Sequence, residues 1–210
     1  MGAARTIRSD GPFHGERPPV HGQAGAQDRL IRRGLVDPAT ITNFTDDWRA
    51  ALDEVSSIDG LRPRDLGYVG FSMGTMLGVP VCAGLDAVRA AVFGVGGVFG
   101  PNVLRFVDES DPARLAQEEE QFRVRGQMVV DSAARLAGVD VLQLAMAQDE
   151  VFSVDGTLEL FAAFPGPKRI VAWEGGHTSL PHEALELSSW FLSRALNGLG
   201  ADLTDTVGAF

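Results

Sequence analysis

The sequence predicts a single α/β domain, a mostly parallel sheet flanked by helices. Short apolar runs alternate with longer segments of helical spacing, which is the pattern of successive β-α units. At 210 residues the chain is long enough for one well-packed domain and short for two. The third observation is local. Gly70-Phe71-Ser72-Met73-Gly74 is a G-x-S-x-G pentapeptide between an apolar run and a segment rich in small and apolar residues. That context fits a sharp strand-to-helix turn that holds a serine hydroxyl out of the fold. Both glycines are expected to be steric, since a Cβ at either position would meet neighbouring backbone.

Taken in order, residues 3–8 have strand character, but Arg5 and Arg8 suit an edge better than a strand buried on both faces. Proline and glycine make residues 10–19 a tight loop, and irregular sequence continues to Thr40, with one helical turn at 27–33. Asn43 or Thr45 is placed to cap a helix ending at Ile58, because Trp48, Ala51, Leu52 and Val55 recur at helical spacing. Residues 66–71 read as a short buried strand, 73–85 as a helix and 89–94 as the next strand. A flexible glycine-rich loop, 94–101, follows at the end of the sheet where ligands sit in open α/β folds.

Residues 102–138 lack strand character. They hold an acidic helix over 113–125 and a second helix over 129–137, a segment large enough for a small cap. Its charge run, Glu118-Glu119-Glu120, reads as a solvated face. Residues 139–145 form a strand, 156–164 a helix that Pro165-Gly166-Pro167 ends, 168–174 a strand and 181–196 a final amphipathic helix. The domain is expected to span 1–196, with a loosely ordered tail at 197–210.

Composition narrows the function. With 28 acidic and 18 basic residues the net charge is −10, so the chain lacks the basic footprint that nucleic acid or an anionic membrane requires. Small neutral or weakly polar substrates fit better. The single Cys82 excludes an internal disulfide and a multi-cysteine metal site. Within the helix after Ser72 it reads as a small buried hydrophobe. No stretch has the character of a membrane span or a signal peptide, and a cytoplasmic location is the expectation.

Ser72, Asp149 and His177 each lie just beyond the carboxyl end of a predicted strand. Chance explains one such placement easily and three poorly. A serine hydroxyl needs a base to take its proton, an imidazole suits that task near neutrality, and a carboxylate orients the imidazole. The backbone N–H of Met73 is placed to donate to an oxyanion. Such chemistry needs no metal or organic cofactor. Glu150 adjoins Asp149 and competes for the acid role, with Asp155 a lesser alternative. Asp140 stands at the wrong end of its strand. His14 and His21 read as loop histidines, and His182 as an exposed helical one. Phe13, Phe71, Phe99 and Val151 are candidates for the substrate pocket.

These pieces together resemble the alpha/beta hydrolase superfamily, in particular its compact dienelactone-hydrolase-like and small esterase branches. The resemblance rests on residues 70–74, on Gln148-Asp149-Glu150-Val151-Phe152 with its following helix, and on Gly175-Gly176-His177. Residues 10–17 also resemble the loop after the family's fourth strand. The similarity runs from about residue 8 to 196. It implies a serine esterase or lactone hydrolase with Ser72, Asp149 and His177 as its triad, and it favours Asp149 over Glu150.

The resemblance also implies a fold shortened at its amino end, without the first three strands or the loop that supplies the other oxyanion N–H. Losing one such donor typically costs about 2.7–4 kcal/mol. It would also leave the elbow strand with an open edge, which another copy of the chain, the N-terminal segment or sequence upstream of Met1 could cover. The alternative function is therefore a weakly active or non-catalytic hydrolase fold that acts by association, as a homo-oligomer through that edge.

Overall fold

A computed structural model describes residues 38–58, 65–98 and 112–199. The expected strand at 3–8, the loop at 10–19, His14, His21, Phe13 and Phe99 lie outside these residues. Among the described residues four strands make the sheet: β1 (Leu66–Phe71), β2 (Val88–Gly94), β3 (Asp140–Met146) and β4 (Lys168–Trp173). They lie side by side in chain order, and every neighbouring pair is parallel. Five helices accompany them among the described residues: α1 (Pro38–Ser57), α2 (Met73–Ala83), α3 (Pro112–Ala133), α4 (Val154–Ala163) and α5 (His182–Leu196).

The chain steps in one direction across the sheet, so the three connecting helices fall on one face, as a constant handedness of crossover requires. There α2, α3 and α4 bury Met76, Val79, Val129, Ala133, Leu160 and Phe164 against Phe93 and Val141. On the other face α5 covers Ala90, Val92, Leu142, Leu144 and Val171 with Ala184 and Phe191. The α1 helix forms an outer layer, packing Ile41 and Phe44 on Leu77 and Val81 of α2.

Several elements differ from expectation. The α1 helix begins at Pro38, five residues before Asn43. Proline is tolerated in a first turn because its missing N–H would be unpaired there anyway. Thr45 does not cap; its hydroxyl donates to the Ile41 carbonyl within the helix at 2.8 Å. The two helices expected between 113 and 137 are one, α3. Gly126 costs about 1 kcal/mol against alanine, and the continuous buried stripe of Phe122, Val129 and Ala133 outweighs it. β1 is not fully buried: Val69 is 43% exposed. It is the last strand on one side, with no partner on its outer edge among the described residues.

Two cations, Arg125 buried and Lys168 half-buried, satisfy carbonyls that helices leave open. Pro80 lies inside α2 and has no N–H for the Met76 carbonyl one turn earlier. Arg125 of α3, 1% exposed, donates from Nη2 to that carbonyl at 2.8 Å. Burial pushes its guanidinium down, to about 9, so it stays charged at neutral pH. At the end of α4, Lys168 Nζ donates to the carbonyls of Phe161, Ala162 and Phe164 at 2.8–2.9 Å.

Candidate active site

The parallel strands point their carboxyl ends to one side, and three of them deliver the candidate residues there. Ser72 follows β1, Asp149 follows β3 and His177 follows β4. Ser72 Oγ stands 2.7 Å from His177 Nε2. His177 Nδ1 stands 2.9 Å from Asp149 Oδ2 and 3.1 Å from Oδ1. Residues 105 and 28 positions apart thus form one hydrogen-bonded chain.

The serine is held by its backbone. Ser72 has φ 51° and ψ −112°, a strained conformation for a residue with a Cβ. Its N–H continues the sheet by donating to Gly94 O at 2.8 Å. Thr75, without solvent exposure, places its hydroxyl 2.8 Å from Gly94 O and 3.0 Å from Gly70 O, joining the ends of β1 and β2. A Cβ at Gly70 would lie 2.5 Å from the Gly74 carbonyl oxygen, so only glycine fits. Gly74 is different. A Cβ there meets no atom within 4 Å among the described residues, and the steric reason expected for it does not hold. Its carbonyl instead accepts from the Tyr68 hydroxyl at 2.8 Å. Met73 opens α2, and its N–H donates to no acceptor among the described residues, as befits the first turn of a helix.

Asp149 is the acid that meets the imidazole. Its side chain is 4% exposed. Burial pushes its carboxyl up, but the His177 hydrogen bond and the N–H groups of Phe152 and Val151 on Oδ1, at 2.9 and 2.8 Å, outweigh burial. The net result lies below the usual range. Glu150 does not touch the ring; its Oε2 accepts the His177 backbone N–H at 2.8 Å. Asp155 is exposed in the first turn of α4. Asp140 opens β3 at the far end of the sheet, beside Asp65 and Arg89. His182 is exposed on α5, 3.7 Å from Glu186. Burial pushes the Cys82 thiol up, which keeps it a protonated hydrophobe.

Of the pocket candidates among the described residues, Phe71 packs over Gly94 in the core under α5, and Val151 packs in the opposite core. Phe152, part of the motif after β3 but not among the pocket candidates, lies against the imidazole with ring centroids 5.7 Å apart. Its signal was the apolar position after Asp149-Glu150-Val151, where the chain turns back under the acid. The loop after β2 is pinned in its described part. Val95, at φ 43°, donates to Leu144 O at 2.8 Å, Val98 N–H donates to Gly156 O at 2.9 Å, and Gln143 Nε2 donates to Gly96 O. Among the described residues no group of three His, Cys, Asp or Glu side chains is gathered so as to hold a metal ion. No helix among them is long and apolar enough to cross a membrane.

No family model and no curated protein matches the chain. Solved structures do. A cold-adapted esterase from an Arctic intertidal metagenomic library, bound to polyethylene glycol, is 30% identical with a TM-score of 0.63, over 89% of this chain and 68% of its own. In its native structure the values are 27% and 0.60, over 82% and 65%. Acetyl xylan esterase 1 from Thermoanaerobacterium sp. JW/SL YS485 shares the fold at 21% identity, with a TM-score of 0.58 over 77% of this chain and 56% of its own. The chain thus spans about two thirds of the length of the Arctic esterase. It belongs to the alpha/beta hydrolase superfamily.

Proposed function

We propose that this protein is a serine hydrolase that cleaves a carboxylic ester, lactone or related acyl compound through an acyl-enzyme. The observation that carries the reading is the chain Ser72 Oγ–His177 Nε2–Asp149, at 2.7 and 2.9 Å. In it, Ser72 Oγ attacks the acyl carbon while its proton passes to His177 Nε2. Asp149, ionised, accepts from Nδ1 and stabilises the imidazolium. The Met73 N–H, at the positive end of α2, donates to the oxyanion. The intermediate collapses as His177 returns the proton to the leaving oxygen. A water then repeats the sequence on the acyl-enzyme, losing its proton to His177 and releasing the acid and Ser72. Esterases among the structural relatives favour an ester over an amide.

A fluorophosphonate probe tests this. It should label the wild type and not Ser72→Ala, whose kcat should fall on the order of 10⁶-fold. No labelling of the folded wild type would refute the reading. The exposed Val69 and the unpaired outer edge of β1 among the described residues favour a second reading, association of two copies through that edge. Light scattering that returns the monomer mass at all concentrations would exclude it.

A further inference from the structure

Three consecutive residues after β3 grip the loop after β4. Gln148 N–H donates to Gly175 O at 3.0 Å, and its side-chain amide meets both the Gly175 N–H and the Glu174 carboxylate. Asp149 takes the imidazole. Glu150 takes the backbone, its Oε2 accepting His177 N–H at 2.8 Å. A Cβ at Gly176 would lie 2.7 Å from that same oxygen, so glycine leaves the carboxylate its seat. The Glu150 carboxyl is held below the usual range, first by the His177 N–H, with the nearby Asp149 charge opposing.

We propose that Glu150 is a positioning residue, which anchors the His177 backbone so that Nε2 stays within hydrogen-bond reach of Ser72 Oγ. The proposal rests on the serine-hydrolase reading for its effect on rate. Asp149 holds Nδ1 and Phe152 lies against the ring, but neither fixes the backbone that carries it. That backbone follows Gly175, at φ 121°, and Gly176, which restrict it little. A second anchor on the N–H of His177 fixes the other end of the lever. Misplacing a reacting group by about 1 Å costs up to about 10²-fold. Glu150 is exposed and water competes for its bond, so the effect expected is one ordinary hydrogen bond in rate, about 3- to 10-fold.

Glu150→Ala removes the acceptor, whereas Glu150→Gln keeps an oxygen in its place and discards the charge. Two readouts are measured: hydrogen exchange of the His177 amide by NMR, and steady-state hydrolysis of p-nitrophenyl acetate. Glu150→Ala should exchange faster at His177 with β3 and β4 amides unchanged, and lose about 3- to 10-fold in kcat at constant KM. Glu150→Gln should restore both. Unchanged His177 exchange and kcat in Glu150→Ala would overturn the proposal, as would a Gln variant as defective as the Ala variant. If wild type and Ser72→Ala hydrolyse the ester equally, the serine-hydrolase reading fails. The exchange measurement alone then decides the anchor, and unchanged protection in Glu150→Ala overturns it.

Discussion

The serine turn and the histidine loop stand 2.7 Å apart at Ser72 and His177, yet they are built on opposite principles. The turn is held by shape: a strained Ser72 backbone, a Gly70 with no room for a methyl group, and buried bonds from Thr75 and Tyr68. The loop is held by exposed side chains, with Gln148 and Glu150 reaching across from the next strand's end. Asp149 and Phe152, which meet the imidazole, are the parts of it nearly closed to solvent among the described residues. A serine fixed by shape tolerates little change of size in its supports, whereas a histidine fixed by hydrogen bonds responds to chemistry and pH in graded steps.

Among the groups that hold the two halves in place, the largest effect should come from changing the loop's chemistry while keeping its shape. Asp149→Asn retains an oxygen for the Val151 and Phe152 N–H groups. Its amide nitrogen, turned to His177 Nδ1, selects the wrong tautomer. We expect kcat for ester hydrolysis to fall on the order of 10⁴-fold, with near-native melting at neutral pH by calorimetry.

The next effect reverses the contrast by changing shape and leaving chemistry alone. Gly70→Ala puts a Cβ 2.5 Å from the Gly74 carbonyl oxygen, and the backbone must move. Overpacking of this kind costs about 1–3 kcal/mol, or about 2–12 °C in a chain this long. Fluorophosphonate labelling should fall with it. Gly74→Ala, with open space among the described residues, should melt within about 1 kcal/mol of the wild type.

The same contrast explains what was legible in the sequence. Strand ends, the serine turn and the order of Ser72, Asp149 and His177 follow from local patterns, because apolar runs and G-x-S-x-G are read along the chain. The division of labour between Asp149 and Glu150 is not local. Adjacent carboxylates differ only in what the loop after β4 brings to each, and the residues alone left that choice open. Arg125 was hidden for the same reason. Inside an acidic helical run it reads as one more solvated charge, and its partner is a carbonyl 49 residues away. The position of Pro80 in a helical stretch was the usable clue, since it announces an unpaired carbonyl at Met76. The two helices expected over 113–137 are joined because the buried stripe that runs through α3 is completed by α2 and α4.

Arg125 also sharpens the comparison, for it extends the shape-held side one turn beyond Met73. Arg125→Met leaves the Met76 carbonyl without its 2.8 Å donor, and Pro80→Ala supplies an N–H in its place. Arg125→Met should therefore destabilise more beside Pro80 than beside alanine, with a coupling of about 1–3 kcal/mol in denaturant melts. Independent effects would show that the guanidinium does not substitute for the missing N–H.

The smallest effect expected is a slope, and it belongs to the loop. The Asp149 carboxyl lies below its usual range in the fold, so in acid the unfolded chain holds its proton more tightly than the folded one. Its stabilising contribution is complete above the unfolded value of about 3.9 and is lost as pH falls through the folded value. Between pH 7 and pH 3, Asp149→Asn should then lose less melting temperature than the wild type. Among the described residues the turn has no carboxylate in its restraints, so Thr75→Val should lower the melting point by a similar amount at both pH values. Parallel acid slopes for Asp149→Asn and wild type would show that hydrogen bonds to a charged Asp149 do not hold the loop, and the contrast between the two halves would fail.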